Sequence, residues 1–271
     1  MSTLRYSLVV PVFNEVAALP GVVAEITRTM TTLGGDYECI VVDDGSTDGT
    51  AEMLERLARN QSSRIRPIHF VSNRGQGAAL YVGLIHAQGQ IVITLDGDRQ
   101  NSPADIPRLV DALERERLDL VCGRRVERQD SWLRRAMSRL ANGVRAWILG
   151  DSVHDAGCGL KVMRRAVVPS LLPLRTLYSF IPALAVGAGF VVGEQVVSHR
   201  VRYGGRSNYG LRAFFWRPFV DMVGVRWYQR RTVLRREDLA GAAESSERIL
   251  ETMDTRSRSR GGIGNERRRD R

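Results

Sequence analysis

Asp96 and Asp98 stand on either side of Gly97 in IVITLDGDRQNSP, directly after an apolar run that ends at Leu95. Carboxylates beside an apolar strand are costly unless a cation or a proton balances them. Two acids one residue apart, with the Gln100 amide close behind, offer the oxygen donors that Mg²⁺ or Mn²⁺ prefers. Mg²⁺ in particular often takes only one or two protein carboxylates beside phosphate oxygens. The same residue types also make ordinary strand-closing turns. The pattern recurs, however: Asn14-Glu15 follows the run YSLVVPVF, and Asp43-Asp44 follows YECIVV. Carboxylates in the latter place can accept hydrogen bonds from a base N–H or a ribose hydroxyl, although no G-x-G-x-x-G fingerprint accompanies them. NRGQGAALYVGL (73–84) has the glycines of a phosphate loop, and equally those of a tight turn leading into a closely packed helix.

Strands and helices alternate around these acids. Near-continuous apolar runs predict strands at 6–13, 37–45, 65–71, 90–96 and 118–123. Between them lie helical spacings: Leu19, Val22, Val23, Ile26, Met30 and Leu33; then Ala51, Leu54, Leu57 and Ala58; then a helix through His86. Ser102, Pro103 and Asp105 predict an N-cap, a first-turn proline and a capping-box acid for a helix carrying Ile106, Leu109, Val110 and Leu113. Strands without apolar/polar alternation, separated by amphipathic helices, predict an α/β fold with a mostly parallel, Rossmann-like sheet and helices on both faces. Ligands bind such sheets beyond the carboxyl ends of the strands, where all three acid motifs fall. Turn formation accounts for one such motif; three on one edge point to a ligand site.

The second half is less regular. A helix is expected at 131–149 with Leu133, Met137, Leu140, Val144 and Ile148 on one face, strands at 159–165 and 191–203, and a buried helix at 179–189. Residues 209–231 predict an aromatic-rich amphipathic helix that contains Arg212, Arg217, Asp221 and Arg226, too charged to span a bilayer but suited to lying in its interface or, with its aromatics inward, to packing on the catalytic domain. The charge is +10, carried almost wholly by arginine, with Lys161 the only lysine. Residues 254–271 hold seven arginines against three acids, a net +4, in a segment with too little apolar content to fold. The chain thus divides into a catalytic domain (1–208), the interface helix (209–231) and a charged extension (232–271), disordered from about 254. A basic body suits phosphates or an anionic lipid surface; arginine tails are usually just solvated, so nucleic acid is not expected as a partner. Cys39, Cys122 and Cys158 are dispersed and His69, His86, His154 and His199 likewise, which fits reduced thiols in a cytoplasmic protein and no zinc site. No signal peptide is expected, because the first apolar run breaks at Pro11 and Asn14.

PVFNE, VVDDGSTDGT, NRGQGAA and LDGDRQNSP, in this order and spacing, resemble glycosyltransferase family 2 with its GT-A fold. VCGRR, SWLRRAMSRLAN, HDAGCGLKVMRR and RYGGRSNYG extend the resemblance over roughly residues 5–210 and are similar to the polyprenyl-phosphate branch, represented by dolichol-phosphate mannosyltransferase. The resemblance implies that Pro11, Phe13, Glu15, Asp43, Asp44 and the Gly97 backbone hold the nucleotide sugar. It implies Mg²⁺ or Mn²⁺ at Asp96, Asp98 and Gln100, phosphate contacts from Arg125 and Arg202, and acceptor-phosphate contacts from Arg134 and Ser138. Where the family usually has a lysine after the last serine this chain has Asn208, and Arg206 can substitute for that cation.

The expected activity is inverting transfer of a sugar from a GDP- or UDP-linked donor to a polyprenyl phosphate, by a protein peripheral on the cytoplasmic face of the membrane. A membrane-protein partner or a second copy is compatible with this. A phosphate monoester is largely ionised near neutral pH and attacks without a strong general base. Alignment and stabilisation of the leaving diphosphate are then the main tasks. Asp155, the one spare acid in a loop of this region, is expected to be structural. Transfer to a saccharide hydroxyl is the nearest alternative and would need a positioned carboxylate base. An inactive nucleotide-binding membrane scaffold is the alternative of another class.

Overall fold

The structure is a computed structural model that describes residues 4–60, 64–125, 143–198, 200, 211–232 and 237–238, with the backbone alone for 211–218. Seven strands form one sheet in the order β3-β2-β1-β4-β6-β5-β7. They are β1 (Tyr6–Val12), β2 (Tyr37–Asp43), β3 (Ile65–His69), β4 (Ile91–Thr94), β5 (Leu120–Arg125), β6 (Lys161–Arg164) and β7 (Val192–Val197). β1, β2, β3 and β4 are parallel, as the unbroken burial of β1, β2 and β4 requires of strands covered on both faces. The register sets Val12 beside Asp43 and Val9 beside Thr94. Each of the three acid motifs therefore leaves the sheet at the same edge.

One face carries α1 (Leu19–Leu33), α2 (Thr50–Asn60) and α4 (Ile106–Arg115); α1 packs against both of the others. Leu19, Val22, Val23, Ile26 and Met30 of α1 and Ile106, Leu109, Val110 and Leu113 of α4 are buried against the strands, as their spacing demands. On α2 only Leu54 of the expected apolar set is fully buried; Leu57 and Ala58 pack at the margin of the core. The other face carries α3 (Gln76–Ile85) and α6 (Leu177–Gly187), which pack together. Leu177, Phe180, Ile181 and Leu184 of α6 are buried. The three cysteines are free and buried.

β6 runs antiparallel to β4 and β5, because the chain re-enters the sheet at the carboxyl edge, through residues 155–160, and must run back down it; the sheet is mostly parallel, as expected. Two other expectations need correction. The capping box before α4 does not form. Asp105 instead accepts hydrogen bonds from the Ser198 N–H and hydroxyl and pairs with Arg108, and Ser102 Oγ accepts from Arg200. A 3₁₀ turn at Pro103–Asp105 leads into the helix. In the helical stretch 143–149 (α5), Val144 is exposed and Ile148 half-buried, while Arg145 and Leu149 turn inward. Arg145 is buried because Asp151 and the Val153 carbonyl receive its guanidinium. Tertiary partners here override the apolar pattern.

The remaining helix, α7 (Leu211–Arg231), has two unlike faces over its described side chains. Met222 and Val225 are buried against α6, Asp221 accepts from the Thr176 N–H and hydroxyl, and Gln229 donates to Leu149 and Ala183 carbonyls. Phe219, Val220, Val223 and Trp227 are exposed. The chain comprises two compact units, Met1–Thr232 and Val233–Arg271; nearly all of the second, including the tail from 254, lies outside the described residues.

Candidate active site

The loops after β1 and β2 are laced together. Asn14, in a left-handed conformation, donates its N–H to Ser46 Oγ and accepts the Thr47 N–H on its amide oxygen. The Glu15 N–H donates to Thr50 Oγ1, and Asp48 accepts the Val16 N–H. These bonds fix Phe13, which is half-buried, and Glu15, which is buried, over the end of β1. Asp43 is buried, with one oxygen accepting the Ser46 N–H at 3.0 Å and the other 3.2 Å from His69 Nδ1; His69 Nε2 lies 3.1 Å from Glu55. Asp44, also buried, accepts the N–H groups of Arg74 and Gly75 at 2.7 and 2.8 Å. Burial pushes the Asp44 carboxyl up, and these two donors oppose the shift. The glycine loop at 73–77 is thus a clamped turn: Gly75 has φ +96°, and its amide is spent on Asp44 rather than held out for a phosphate.

Asp96 lies one strand away, on a floor built from distant parts of the chain. Its oxygens accept Gln76 Nε2 at 2.9 Å and Asn101 Nδ2 at 3.0 Å. A Cβ on Gly159 would sit 2.0 Å from Asp96 Oδ2, so only glycine lets the 155–160 loop pass there. Beneath it Lys161, 1% exposed, donates its ammonium to the carbonyls of Ala156 and Cys158. Burial, then the Asp98 charge, pushes the Asp96 carboxyl up to about 6, against the pull of Lys161 and Arg125. Asp98 accepts the Gln100 N–H at 3.0 Å. Gly97 is packed so closely on β1 that a Cβ would meet Val12 Cγ1 at 2.5 Å and the Pro11 carbonyl at 3.1 Å. Pro11, Gln76, Leu80, Asp96, Lys161 and Tyr178 are among the residues that line a pocket next to the carboxylate.

The residues fit a hard divalent cation. Among the described residues no group of three or more His, Cys, Asp or Glu is arranged to hold a metal ion by itself, and this loop offers two carboxylates and the neighbouring Gln100. That partial oxygen set suits an ion whose other ligands are phosphate oxygens and water.

Basic residues at this edge are held by acids. Arg125 donates through Nε and Nη2 to the two oxygens of Asp155, at 2.7 and 2.8 Å, and its N–H also reaches Asp155. Burial disfavours the charge on Arg125, but the Asp155 hydrogen bonds and charge outweigh it and raise its pKa. Glu194 on β7 accepts the N–H groups of His154 and Asp155 and so fixes the clamp. Arg134, Ser138, Arg202, Arg206 and Asn208 lie outside the described residues. Gln76, Asn101, Glu194 and the lysine's role were not found from sequence. The one available signal was a single lysine inside the apolar run GLKVM of an otherwise arginine-based chain.

The model of the family described as Glycosyl transferase family 2 matches residues 7–172, the span from β1 through the clamped loops, Asp96 and β6. The chain belongs to glycosyltransferase family 2. It is 36% identical over 233 residues to the dodecaprenyl-phosphate galacturonate synthase of Rhizobium johnstonii, covering 85% of this chain and 69% of that one. It is 40% identical over 205 residues to the undecaprenyl-phosphate 4-deoxy-4-formamido-L-arabinose transferase of Edwardsiella ictaluri, covering 76% and 63%. The chain thus spans about two thirds of the length of these relatives. Glucosyl-3-phosphoglycerate synthase of Mycobacterium tuberculosis, solved with Mn²⁺, UDP-glucose and phosphoglyceric acid, has a TM-score of 0.61 at 21% identity, covering 83% of this chain and 79% of that one. At that identity the likeness is one of fold.

Proposed function

We propose that this family 2 glycosyltransferase moves a sugar, with inversion, from a UDP- or GDP-linked donor to a polyprenyl phosphate at a membrane surface. The observation that carries the reading is the convergence of Asp96 and Asp98 with the Asp43–Asp44 and Asn14–Glu15 loops at one sheet edge, in a chain whose relatives are polyprenyl-phosphate sugar transferases.

The parts divide as follows. Pro11, Phe13, Glu15, Asp43 and Asp44 shape the nucleoside side, with the Gly97 backbone against the donor. When bound at Asp96, Asp98 and Gln100, Mg²⁺ or Mn²⁺ would neutralise charge on the leaving diphosphate. Arg125, whose position Asp155 fixes, supplies positive charge within electrostatic reach of Asp96. Arg202 contributes phosphate contacts, and Arg134 and Ser138 meet the acceptor phosphate. That acceptor needs no strong base, its second pKa being about 6. A hydroxyl acceptor would need one, and Asp155, the spare acid of this loop, is committed to Arg125.

The outer face of α7 supports a peripheral membrane location. No helix among the described residues is long and apolar enough to cross a membrane. Phe219, Val220, Val223 and Trp227 are exposed on α7, with Arg230 and Arg231 at its end, a composition suited to the headgroup boundary. The test of the function is incubation of the purified chain with labelled nucleotide sugars and polyprenyl phosphate. Label entering the organic phase, and lost with excess chelator, is expected; no such product from any donor would overturn the proposal.

A further inference from the structure

Glu25 of α1 joins two segments that sequence separates widely. Arg99, between Asp98 and Gln100, donates through Nη2 to Glu25 Oε1 at 2.6 Å, and Arg200, just beyond β7, donates through Nη1 to Glu25 Oε2 at 2.8 Å. Arg200 is tied to the same loop twice more. Its N–H donates to the Gln100 carbonyl at 2.9 Å, and Nη2 donates to Ser102 Oγ at 2.9 Å. One turn before Glu25, Gly21 leaves room for the Arg99 guanidinium, since a Cβ there would stand 2.9 Å from its Cζ. Arg99 itself holds φ +65°, a conformation that a long side chain adopts only when its surroundings impose it. Each oxygen of Glu25 thus holds one arginine, and the two arginines belong to different loops.

We infer that Glu25 is a positioning residue: through Arg99 and Arg200 it locks the Asp96–Gln100 loop, to which the proposed function gives the metal, to the chain just beyond β7, so that the two act as one unit. The ligand half of this statement rests on the proposed function; the mechanical half does not. The Glu25 side chain is 17% exposed, Arg99 29% and Arg200 46%, so the clasp sits at the rim and its removal leaves the core intact. Charge-assisted hydrogen bonds of this kind are stronger than neutral ones, and a two-pronged carboxylate fixes geometry as well as energy.

Glu25→Gln and Arg200→Gln, singly and together, test it with two readouts on the full chain. The first needs no ligand: amide hydrogen exchange of wild type and variants. Faster exchange confined to residues 97–102 and 198–200 is expected. Unchanged exchange there, or acceleration spread over α1 and the sheet, would overturn the clasp. The second is calorimetric binding of UDP and of GDP with and without Mn²⁺. The gain in nucleotide affinity that Mn²⁺ confers should fall about tenfold in Glu25→Gln, with metal-free binding unchanged and the double variant no worse than Glu25→Gln. Equal Mn²⁺ gains in wild type and variant would remove the positioning role. If wild type binds neither nucleotide, or Mn²⁺ has no effect on it, the functional reading fails instead, and hydrogen exchange still decides the clasp.

Discussion

The two sides of the active edge are built on opposite electrostatic plans. At the ends of β1 and β2, acids are aimed by backbone amides: Asp43 by the Ser46 N–H, Asp44 by those of Arg74 and Gly75. Toward β5 and β7, arginines are aimed by acids: Arg125 by Asp155, Arg145 by Asp151, and Arg99 and Arg200 by Glu25. Asp43 takes its amide from three residues along, whereas Asp44 takes both of its amides from a turn 30 and 31 residues on. A guanidinium takes a second side chain instead, 6 residues away for Arg145, 30 for Arg125, and 74 and 175 for Arg99 and Arg200. The two sides therefore differ in what does the aiming, backbone amides on one and side-chain carboxylates on the other, and both depend on tertiary assembly.

Breaking the second plan should cost stability most. Asp155→Ala leaves the Arg125 charge buried without its partner, and removing one member of such a pair costs about 3–5 kcal/mol. Urea unfolding of wild type and variant measures it. A loss below about 1 kcal/mol would mean that solvent already shares the clamp. Breaking the proposed metal set between the two sides should instead leave the fold intact and stop chemistry. Asp98→Asn should lower turnover at least about 100-fold, the usual loss when one preorganised electrostatic group is removed, with an unchanged urea midpoint. Full activity in that variant would remove Asp98 from the metal site.

The difference between the two plans also governs what could be read from sequence. Acid pairs after apolar runs are visible in a ten-residue window, and so Asp43, Asp44, Asp96 and Asp98 were placed on one edge correctly. The partners of the arginines were not visible: Glu25 lies 74 residues from Arg99 and 175 from Arg200. No local pattern ties them. The same reason explains the capping-box error. Ser102 and Asp105 have the right spacing to cap α4, but Arg200, Ser198 and Arg108 outbid the local amides for their oxygens. Val144 was assigned to an apolar face that tertiary packing gives to Arg145. The antiparallel β6 followed from where the chain re-enters the sheet, which strand composition does not encode.

Smaller effects sharpen the contrast further. On α7, Phe219→Ala with Trp227→Ala should weaken sedimentation with anionic liposomes at high salt while leaving unfolding unchanged, since both side chains are exposed. Met222→Ala, on the buried face but 7% exposed, should lower stability by about 2 kcal/mol, the low end for such a truncation, and leave sedimentation alone. If the aromatic variant sediments as wild type does, the outer face of α7 is not a membrane contact. Smallest is a pH effect at Glu25. Burial raises its carboxyl pKa, but the hydrogen bonds from Arg99 and Arg200 outweigh this, and the net shift is downward. A depressed carboxyl stabilises the fold above its ordinary range near 4.3 and loses that contribution as pH falls through the folded value. The difference in unfolding free energy between wild type and Glu25→Gln, about 1 kcal/mol or less for a rim pair, should therefore be present at neutral pH and vanish in acid. A difference that persists in strong acid would assign the stabilisation to packing.

In the proposed reaction the acceptor is a lipid phosphate, which brings its own nucleophile to a site that holds donor and metal, and the one spare acid of the described loop, Asp155, is committed to Arg125. Mass spectrometry of the products from purified chain, nucleotide sugar and Mn²⁺, with polyprenyl phosphate and polyprenol as competing acceptors, tests it directly. Glycosylated polyprenyl phosphate, with the anomeric centre inverted relative to the donor and no glycosylated polyprenol, is the predicted result. Comparable transfer to the polyprenol hydroxyl, or retention of configuration, would contradict it.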